Sequence, residues 1–174
     1  TATKEISIAV TDVDDNKLSV ADSNSAANTI AENAASDSTV GVTVLGTDAD
    51  YGTSIAYDFT SNPSDLFAIN ASTGVITLAT GKTLDYESAQ SHAVTVRATS
   101  TDSNGNTSTA TKDITIAVTD VNDIKPVIDD QIVAVKENFA AGTAFLNIND
   151  SSQDDDIDAE NNDLSYTIQS GNTD

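Results

Sequence analysis

The sequence contains no cysteine, methionine or tryptophan, and its aromatic side chains are limited to four tyrosines and four phenylalanines. Without cysteine the chain has neither disulfide bonds nor thiolate metal sites, so it lacks the usual cross-link of a small secreted domain. Basic residues are also few, because 7 Lys and Arg stand against 28 Asp and Glu and leave a net charge of −21. This charge argues against nucleic acid and anionic membranes as partners, since both attract clustered Lys and Arg.

Several other features are missing. No apolar run approaches the roughly 18 residues of a membrane-spanning helix, and no secretory signal pattern opens the chain, so we expect an internal segment that is not inserted in a membrane. A single histidine, His92, cannot supply a Ser-His-Asp set, and no glycine-rich phosphate loop is present. The carboxylate pairs lie in polar linkers rather than in the apolar pockets that glycosidases use. We therefore expect no enzymatic activity.

The chain contains an internal repeat. The segment 4–15 returns at 112–123, so that Asp12 corresponds to Asp120 with an offset of 108 residues. This offset is the size of one β-sandwich domain. Between the two copies, apolar residues alternate along short segments that are separated by turn residues, and this pattern predicts strands. The seven predicted segments lie at residues 18–31, 39–47, 55–59, 67–69, 75–78, 94–98 and 114–118.

The pattern predicts an all-β, seven-stranded Greek-key sandwich of the immunoglobulin-like kind, arranged in tandem. Residues 1–13 are interpreted as the final strand of a preceding repeat, 14–121 as a complete repeat, and 122–174 as the N-terminal part of a following one. The following repeat has predicted strands at 132–135, 145–148 and 164–168. Because half a sandwich leaves an open edge, we expect residues 124–174 to be poorly ordered or to complete themselves against a like chain.

Acidic residues recur at fixed places relative to these strands. One motif ends the first strand, one follows the second, one precedes the sixth and one ends the seventh. In chain order they are Glu32-Asn33, Asp48-Ala49-Asp50, Leu84-Asp85-Tyr86-Glu87 and Asp120-Val121-Asn122-Asp123. Carboxylates that converge at one end of a sandwich repel one another unless a cation lies among them.

Four such motifs, in this order and at domain spacing, resemble the cadherin repeat, including a linker of the form Asp-x-Asn-Asp-x-x-Pro that ends at Pro126. The composition, rich in Thr, Ser, Asn and Asp, resembles the cadherin-like repeats of large bacterial surface adhesins more than vertebrate junction cadherins. Strand-swap adhesion through an N-terminal Trp is excluded, because the chain has none. The resemblance implies an extracellular or cell-surface location and Ca²⁺ as the cofactor.

Calcium takes about 6 to 8 oxygen ligands from carboxylates, amides and backbone carbonyls. At the junction after the complete repeat, the resemblance implies side-chain ligands from three motifs, carbonyl ligands from two linker residues, and two aspartates of the following repeat. An alternative register for that last pair uses Asp154 and Asp156. The implied ligands are Glu32, Asp85, Glu87, Asp120, Asn122 and Asp123, the carbonyls of Val121 and Ile124, and Asp156 and Asp158.

The junction before the complete repeat is truncated, because its Glu-Asn and Leu-Asp-x-Glu motifs would precede residue 1. Its linker offers Asp12, Asp14 and Asn16, together with Asp15. From the complete repeat, Asp48, Asp50 and Asp102 are expected to face this linker. Ser100 stands where the family pattern has Asp, and Asp102 follows two residues later.

The leading hypothesis is a structural extender of a calcium-dependent, multi-repeat adhesin, whose partners are the adjacent repeats of the same protein. Its cell-surface or polysaccharide ligand is not indicated by the sequence. A second hypothesis is a carbohydrate-binding or homophilic recognition module, which exposed aromatic patches would favour. A third is a non-catalytic appendage of a secreted polysaccharide-degrading enzyme.

Overall fold

The computed structural model describes residues 2–9, 15, 17–50, 52–123, 127–128, 130, 132–134, 136–138, 140, 152–153 and 166–167. The chain divides into two units, Thr1–Thr119 and Asp120–Asp174. The strands are β1 (Ser19–Asp22), β2 (Thr29–Ala31), β3 (Thr39–Thr47), β4 (Ser54–Ser61), β5 (Phe67–Ile69), β6 (Val75–Leu78), β7 (Ser91–Thr101), β8 (Thr107–Thr119), β9 (Val127–Ile128) and β10 (Ser152–Gln153), with one 3₁₀ turn at Pro63–Asp65.

The first unit is a sandwich of two four-stranded sheets, with strand orders β1-β3-β6-β5 and β2-β8-β7-β4. Every neighbouring pair is antiparallel except β2 and β8, which run parallel over three residues. Val, Ile and Thr dominate these strands, and their branched side chains favour the extended backbone. The predicted all-β sandwich fold is confirmed.

The first predicted strand, residues 18–31, is divided between the two sheets. Its first part is β1 and its second part is β2, and residues 23–28 cross from one sheet to the other. Gly41 in β3 permits this crossing, because a Cβ atom there would lie 2.1 Å from the carbonyl oxygen of Ala27. Its φ of +77° is also a conformation that glycine adopts without strain. The described part of the first unit therefore has eight strands rather than seven segments.

The core lies between the two sheets, on the faces that the alternation predicted. Val40, Val42 and Val44 of β3 are at most 1% exposed. The inward residues of β7 and β8 are buried as well. Tyr57 of β4 joins the sheets, because its hydroxyl oxygen accepts a hydrogen bond of 2.9 Å from the N–H of Gly46 in β3. The buried inward residues of β7 and β8 are Val94, Val96, Ala98, Ile114, Ile116 and Val118.

Residues 2–9, predicted as most of a final strand of a preceding repeat, carry no strand assignment. Ile6 and Ile8, the apolar residues of that alternating pattern, are 75% and 83% exposed. An isolated segment has no ladder to join, since a strand needs a neighbouring strand for its backbone hydrogen bonds. The repeat boundaries at residues 13 and 121 stay predictions.

In the second unit, β9 and β10 form a short antiparallel pair. The predicted strand at 132–135 is not seen at the described residues 132–134, where Ile132 is fully exposed. Tyr166 and Thr167, the described residues of the predicted segment 164–168, also carry no strand. The segment 145–148 lies outside the described residues, and the expected disorder or exchange of residues 124–174 stays a prediction.

Candidate metal site

Glu32 directly follows β2, and the sheet holds its backbone in place. Its N–H donates to the carbonyl oxygen of Thr119 at 3.1 Å, which extends the parallel pairing of β2 with β8 by one residue. The residue is 6% exposed, and its Oε2 accepts a 2.7 Å hydrogen bond from the N–H of Tyr86. A buried carboxylate requires such compensation, because desolvation penalises its charge. The end of β2 thus presents a carboxylate group in a fixed position.

Asp85 lies in the segment that precedes β7, between two residues that anchor this segment. Leu84 is buried in the core, and Tyr86 packs against the core. Asp85 is exposed, and both of its carboxylate oxygens accept hydrogen bonds from Ser88. The Ser88 hydroxyl, and then the Ser88 N–H, lower the pKa of Asp85 below its ordinary value near 3.8. The group is therefore an anion at neutral pH.

Three carboxylates meet at this end of the sandwich. One oxygen from each of Glu32, Asp85 and Glu87 lies within 4.8 Å of the other two. Glu32 is buried, while Asp85 and Glu87 are exposed, so the group opens to solvent on one side. Among the residues that the structure describes, this is the single group of three or more acidic or histidine side chains with that geometry. The resemblance to the cadherin repeat implied these three residues as ligands, and the fold brings them together.

The donor set fits a hard divalent cation. All three side chains offer oxygen, with no nitrogen or sulfur ligand that would favour zinc or copper. Calcium accepts flexible carboxylate shells of about 6 to 8 oxygens, whereas magnesium requires a near-ideal octahedron and retains several waters. Three carboxylates supply part of a calcium shell, so further oxygens are needed to complete it.

The other predicted ligands of this junction belong to the second unit. Asp120 and Val121 are half-buried in the structure, whereas Asn122 and Asp123 are exposed. Ile124, Asp156 and Asp158 lie outside the described residues, as do Asp12, Asp14 and Asn16 of the other junction. The ligand roles of all these residues stay predictions.

Asp102, which was predicted to face the truncated junction, accepts hydrogen bonds from its own hairpin loop, and its ligand role stays a prediction. The loop connects β7 to β8. Oδ1 of Asp102 accepts 2.8 Å hydrogen bonds from the N–H groups of Asn104 and Asn106, and Oδ2 accepts a 2.7 Å bond from the Asn106 side-chain amide. Asn106 is the main cause of a pKa for Asp102 below the ordinary value near 3.8. Asp102 as a whole residue is 8% exposed.

Asp48 and Asp50 do not form a three-carboxylate group with Asp102 in the part of the chain that the structure describes. Oδ1 of Asp48 accepts a 3.1 Å hydrogen bond from the N–H of Asp50, which closes a local turn. Ser100, at the position of the family's Asp, is 2% exposed, and its hydroxyl has no hydrogen-bond partner among the described residues. No converging acidic group is therefore seen among these described residues.

Sequence reasoning missed one contributor to the candidate site, Ser88. Its two hydrogen bonds to Asp85 follow from a tight turn in which the N–H of Ala89 donates to the Asp85 carbonyl oxygen at 3.0 Å. A local signal was present, because Asp followed three residues later by Ser is a common arrangement for side-chain capping of a turn.

Comparison with known proteins agrees with this fold. Residues 27–118 match the family described as "Cadherin domain", and this match spans more than half of the chain. The protein therefore belongs to the cadherin family.

Its relatives include large animal adhesion proteins. The chain is 39% identical over 123 residues to "Protocadherin Fat 4" from Mus musculus, covering 69% of this chain and 2% of that protein. It is 34% identical over 134 residues to "Cadherin-23" from Homo sapiens, covering 75% of this chain and 4% of that protein. The chain thus corresponds to a very small part of the length of these relatives.

Solved structures of cadherins are similar to this chain in fold. Mouse Cadherin-23 EC22-24 superposes with a TM-score of 0.66 at 29% identity, covering 84% of this chain and 46% of that one. Protocadherin gammaB7 EC3-6, described as a cis-dimer structure, also gives a TM-score of 0.66, at 26% identity, covering 85% and 35%.

Family membership supports an adhesion-type repeat module with an extracellular location, and the relatives are adhesion proteins rather than enzymes. The relatives named above are animal cadherins, so they do not support the finer resemblance to bacterial adhesins. Within the described residues, no helix has the length and apolar character that crossing a membrane requires.

Proposed function

We propose that this chain is a calcium-binding structural repeat of an extracellular adhesion protein, in which bound Ca²⁺ stiffens the joint between successive repeats. The observation that carries the proposal is the convergence of Glu32, Asp85 and Glu87 at one end of the sandwich, with carboxylate oxygens within 4.8 Å of one another. Three like charges at this separation repel, and a divalent cation converts the repulsion into attraction.

The position of this group in the fold supports a role at a joint. Glu32 is hydrogen-bonded to Thr119, the last residue of β8. The chain continues from Thr119 directly into the linker motif that begins with Asp120. We propose that Asp120, Asn122 and Asp123, with the carbonyls of Val121 and Ile124, supply further oxygens. Asp156 and Asp158 are proposed as the contribution of the following repeat.

The proposed partners are the adjacent repeats of the same protein, and a like chain for the repeat that begins after residue 121. Recognition of carbohydrate is not favoured, because the large hydrophobic side chains exposed among the described residues are aliphatic and offer no aromatic surface for stacking. The composition favours a bacterial surface adhesin as the parent protein, and the parent gene would decide this point.

Calcium binding is tested by thermal unfolding and calorimetric titration of the full chain, in Ca²⁺ and in a chelator. Extracellular calcium modules bind with Kd of about 10⁻⁴ to 10⁻³ M. At millimolar Ca²⁺ each site then stabilises the fold by about 1–2 kcal/mol at most, which raises Tm measurably. Asp85→Ala should remove much of this calcium-dependent rise in Tm.

Glu5→Ala is the matched control, because it also removes one negative charge from an exposed position, in a segment without predicted ligands. We expect this variant to keep the full calcium response. Magnesium at the same ionic strength distinguishes specific binding from general screening of the −21 charge. An equal Tm in Ca²⁺ and in chelator for the unmodified chain would refute the proposed function.

A further inference from the structure

Ser88 contacts both oxygens of one carboxylate in the proposed calcium site. Its N–H donates to Oδ1 of Asp85 at 2.9 Å, and its hydroxyl donates to Oδ2 at 2.8 Å. The turn is closed by the 3.0 Å hydrogen bond from the N–H of Ala89 to the Asp85 carbonyl oxygen. Two bonds to two different oxygens fix the rotation of the carboxylate plane as well as its position.

This two-point contact matters because Ser88 makes the strongest contacts to the Asp85 carboxylate, with a smaller contribution from the Glu87 N–H. Its side chain is exposed, whereas the carboxylate of Glu32 is buried and accepts a hydrogen bond from the Tyr86 N–H. Glu32 and Glu87 both repel an anion at the position of Asp85 when no cation is bound. An unrestrained Asp85 would rotate toward solvent, and its side-chain freedom would be lost again on metal binding.

The contact leaves room for a cation. An ionised carboxylate has about four acceptor sites on its two oxygens, and Ser88 occupies one on each oxygen. The remaining sites can face a metal ion while both hydrogen bonds persist. Outer partners that orient a ligand in this way commonly raise metal affinity.

We propose that Ser88 is a positioning residue for the calcium site, which holds the Asp85 carboxylate in its binding orientation before the ion arrives. This inference rests on the proposed function, since it concerns the affinity of the same site. It adds a residue outside the Leu-Asp-x-Glu motif to the determinants of that affinity.

The test compares the full chain with Ser88→Ala, Ser88→Thr and Ser72→Ala by calorimetric Ca²⁺ titration. Ser88→Ala should weaken the affinity of this site roughly tenfold, the lower end of the effect of an outer partner. Ser88→Thr keeps a hydroxyl and should bind within about twofold of the unmodified chain. Ser72→Ala is the matched control, because Ser72 lies in an exposed turn where its N–H, not its hydroxyl, donates to Asn70.

A second measurement separates positioning from folding. In chelator, Ser88→Ala should change Tm much less than it changes the calcium-dependent rise in Tm, because Asp85 is exposed and the hydrogen bonds are to solvent-accessible groups. An equal fall in Tm in both buffers would show a purely structural role and overturn the proposal. Unchanged or tighter binding by Ser88→Ala would also overturn it, since Ser88 would then be neutral or in competition with the ion.

Failure of the two proposals is distinguishable. If the unmodified chain itself fails to bind Ca²⁺, the proposed function fails and the role of Ser88 falls with it. If the unmodified chain binds and Ser88→Ala binds equally well, the calcium site stands and only the positioning role is lost.

Discussion

The acidic residues at the two ends of the sandwich differ in what surrounds their carboxylates. Glu32, Asp85 and Glu87 lie within reach of one another, and their charges add up around a common point. Asp102 is also a carboxylate, but it accepts hydrogen bonds from three nitrogen donors of its own loop. Asp102 belongs to no such group of three carboxylates among the described residues, so a cation there would find less negative charge. Acidic character alone therefore does not identify a metal ligand.

The largest expected effect comes from Glu32→Gln, which keeps the shape and the acceptor for the Tyr86 N–H but removes the charge. Calcium affinity depends on the number of charged ligands, so we expect a loss of about tenfold or more. In chelator, relief of repulsion within the cluster should raise Tm, and in millimolar Ca²⁺ the lost ion should lower it relative to the unmodified chain. Thermal unfolding in chelator and in millimolar Ca²⁺ measures whether the Tm difference between Glu32→Gln and the unmodified chain changes sign.

The corresponding substitution outside the three-carboxylate cluster is Asp102→Ala. Removing this carboxylate leaves the N–H groups of Asn104 and Asn106 without their acceptor, so Tm should fall by several degrees. We expect the same fall in Ca²⁺ and in chelator, because the loop is held by protein hydrogen bonds. A fall seen in Ca²⁺ alone would mean that Asp102 binds the ion and that the contrast between the two groups is wrong.

The pH dependence of Tm provides a control for the Asp102→Ala variant. Its pKa in the folded chain is below the ordinary value near 3.8, so its contribution to stability is fully present above that value. The contribution is lost as pH falls through the lower folded pKa. Between neutral pH and about pH 5, Asp102→Ala and the unmodified chain should therefore differ in Tm by a constant amount.

The smallest expected effect is that of Ser100→Ala. The Ser100 hydroxyl is buried without a hydrogen-bond partner among the described residues, and an unsatisfied buried hydroxyl costs free energy. Its removal should leave the free energy of unfolding unchanged or raise it by about 1 kcal/mol at most, with the same value in Ca²⁺ and in chelator. A clear loss of calcium affinity in Ser100→Ala would assign the hydroxyl to a metal site and contradict this expectation.

The sequence predicted the fold well because burial follows the period of the strand. Alternating apolar residues such as Val40, Val42 and Val44 have one face to bury, and the sandwich buries it. The resemblance to the cadherin repeat likewise implied that Glu32 and Asp85 would meet, although they lie 53 positions apart in the sequence.

Two features could not be predicted in this way. The change of sheet within 18–31 depends on a close approach to Gly41, a contact between distant parts of the chain. The hydrogen bonds that Asp102 accepts depend on the backbone of its loop, where Gly105 has a φ of +88°. Spacing in the sequence does not reveal whether a carboxylate will face its own N–H groups or another anion.

The parallel pairing of β2 with β8 has a mechanical consequence. β2 lies near the start of the sandwich and β8 at its end, so tension applied to the two ends of this domain pulls the two strands along their length in opposite directions. Their hydrogen bonds are then loaded together in shear, rather than opened one after another as in a peeled hairpin. Single-molecule stretching should find a high rupture force, and an easily peeled domain would rule out this role for the strand pair.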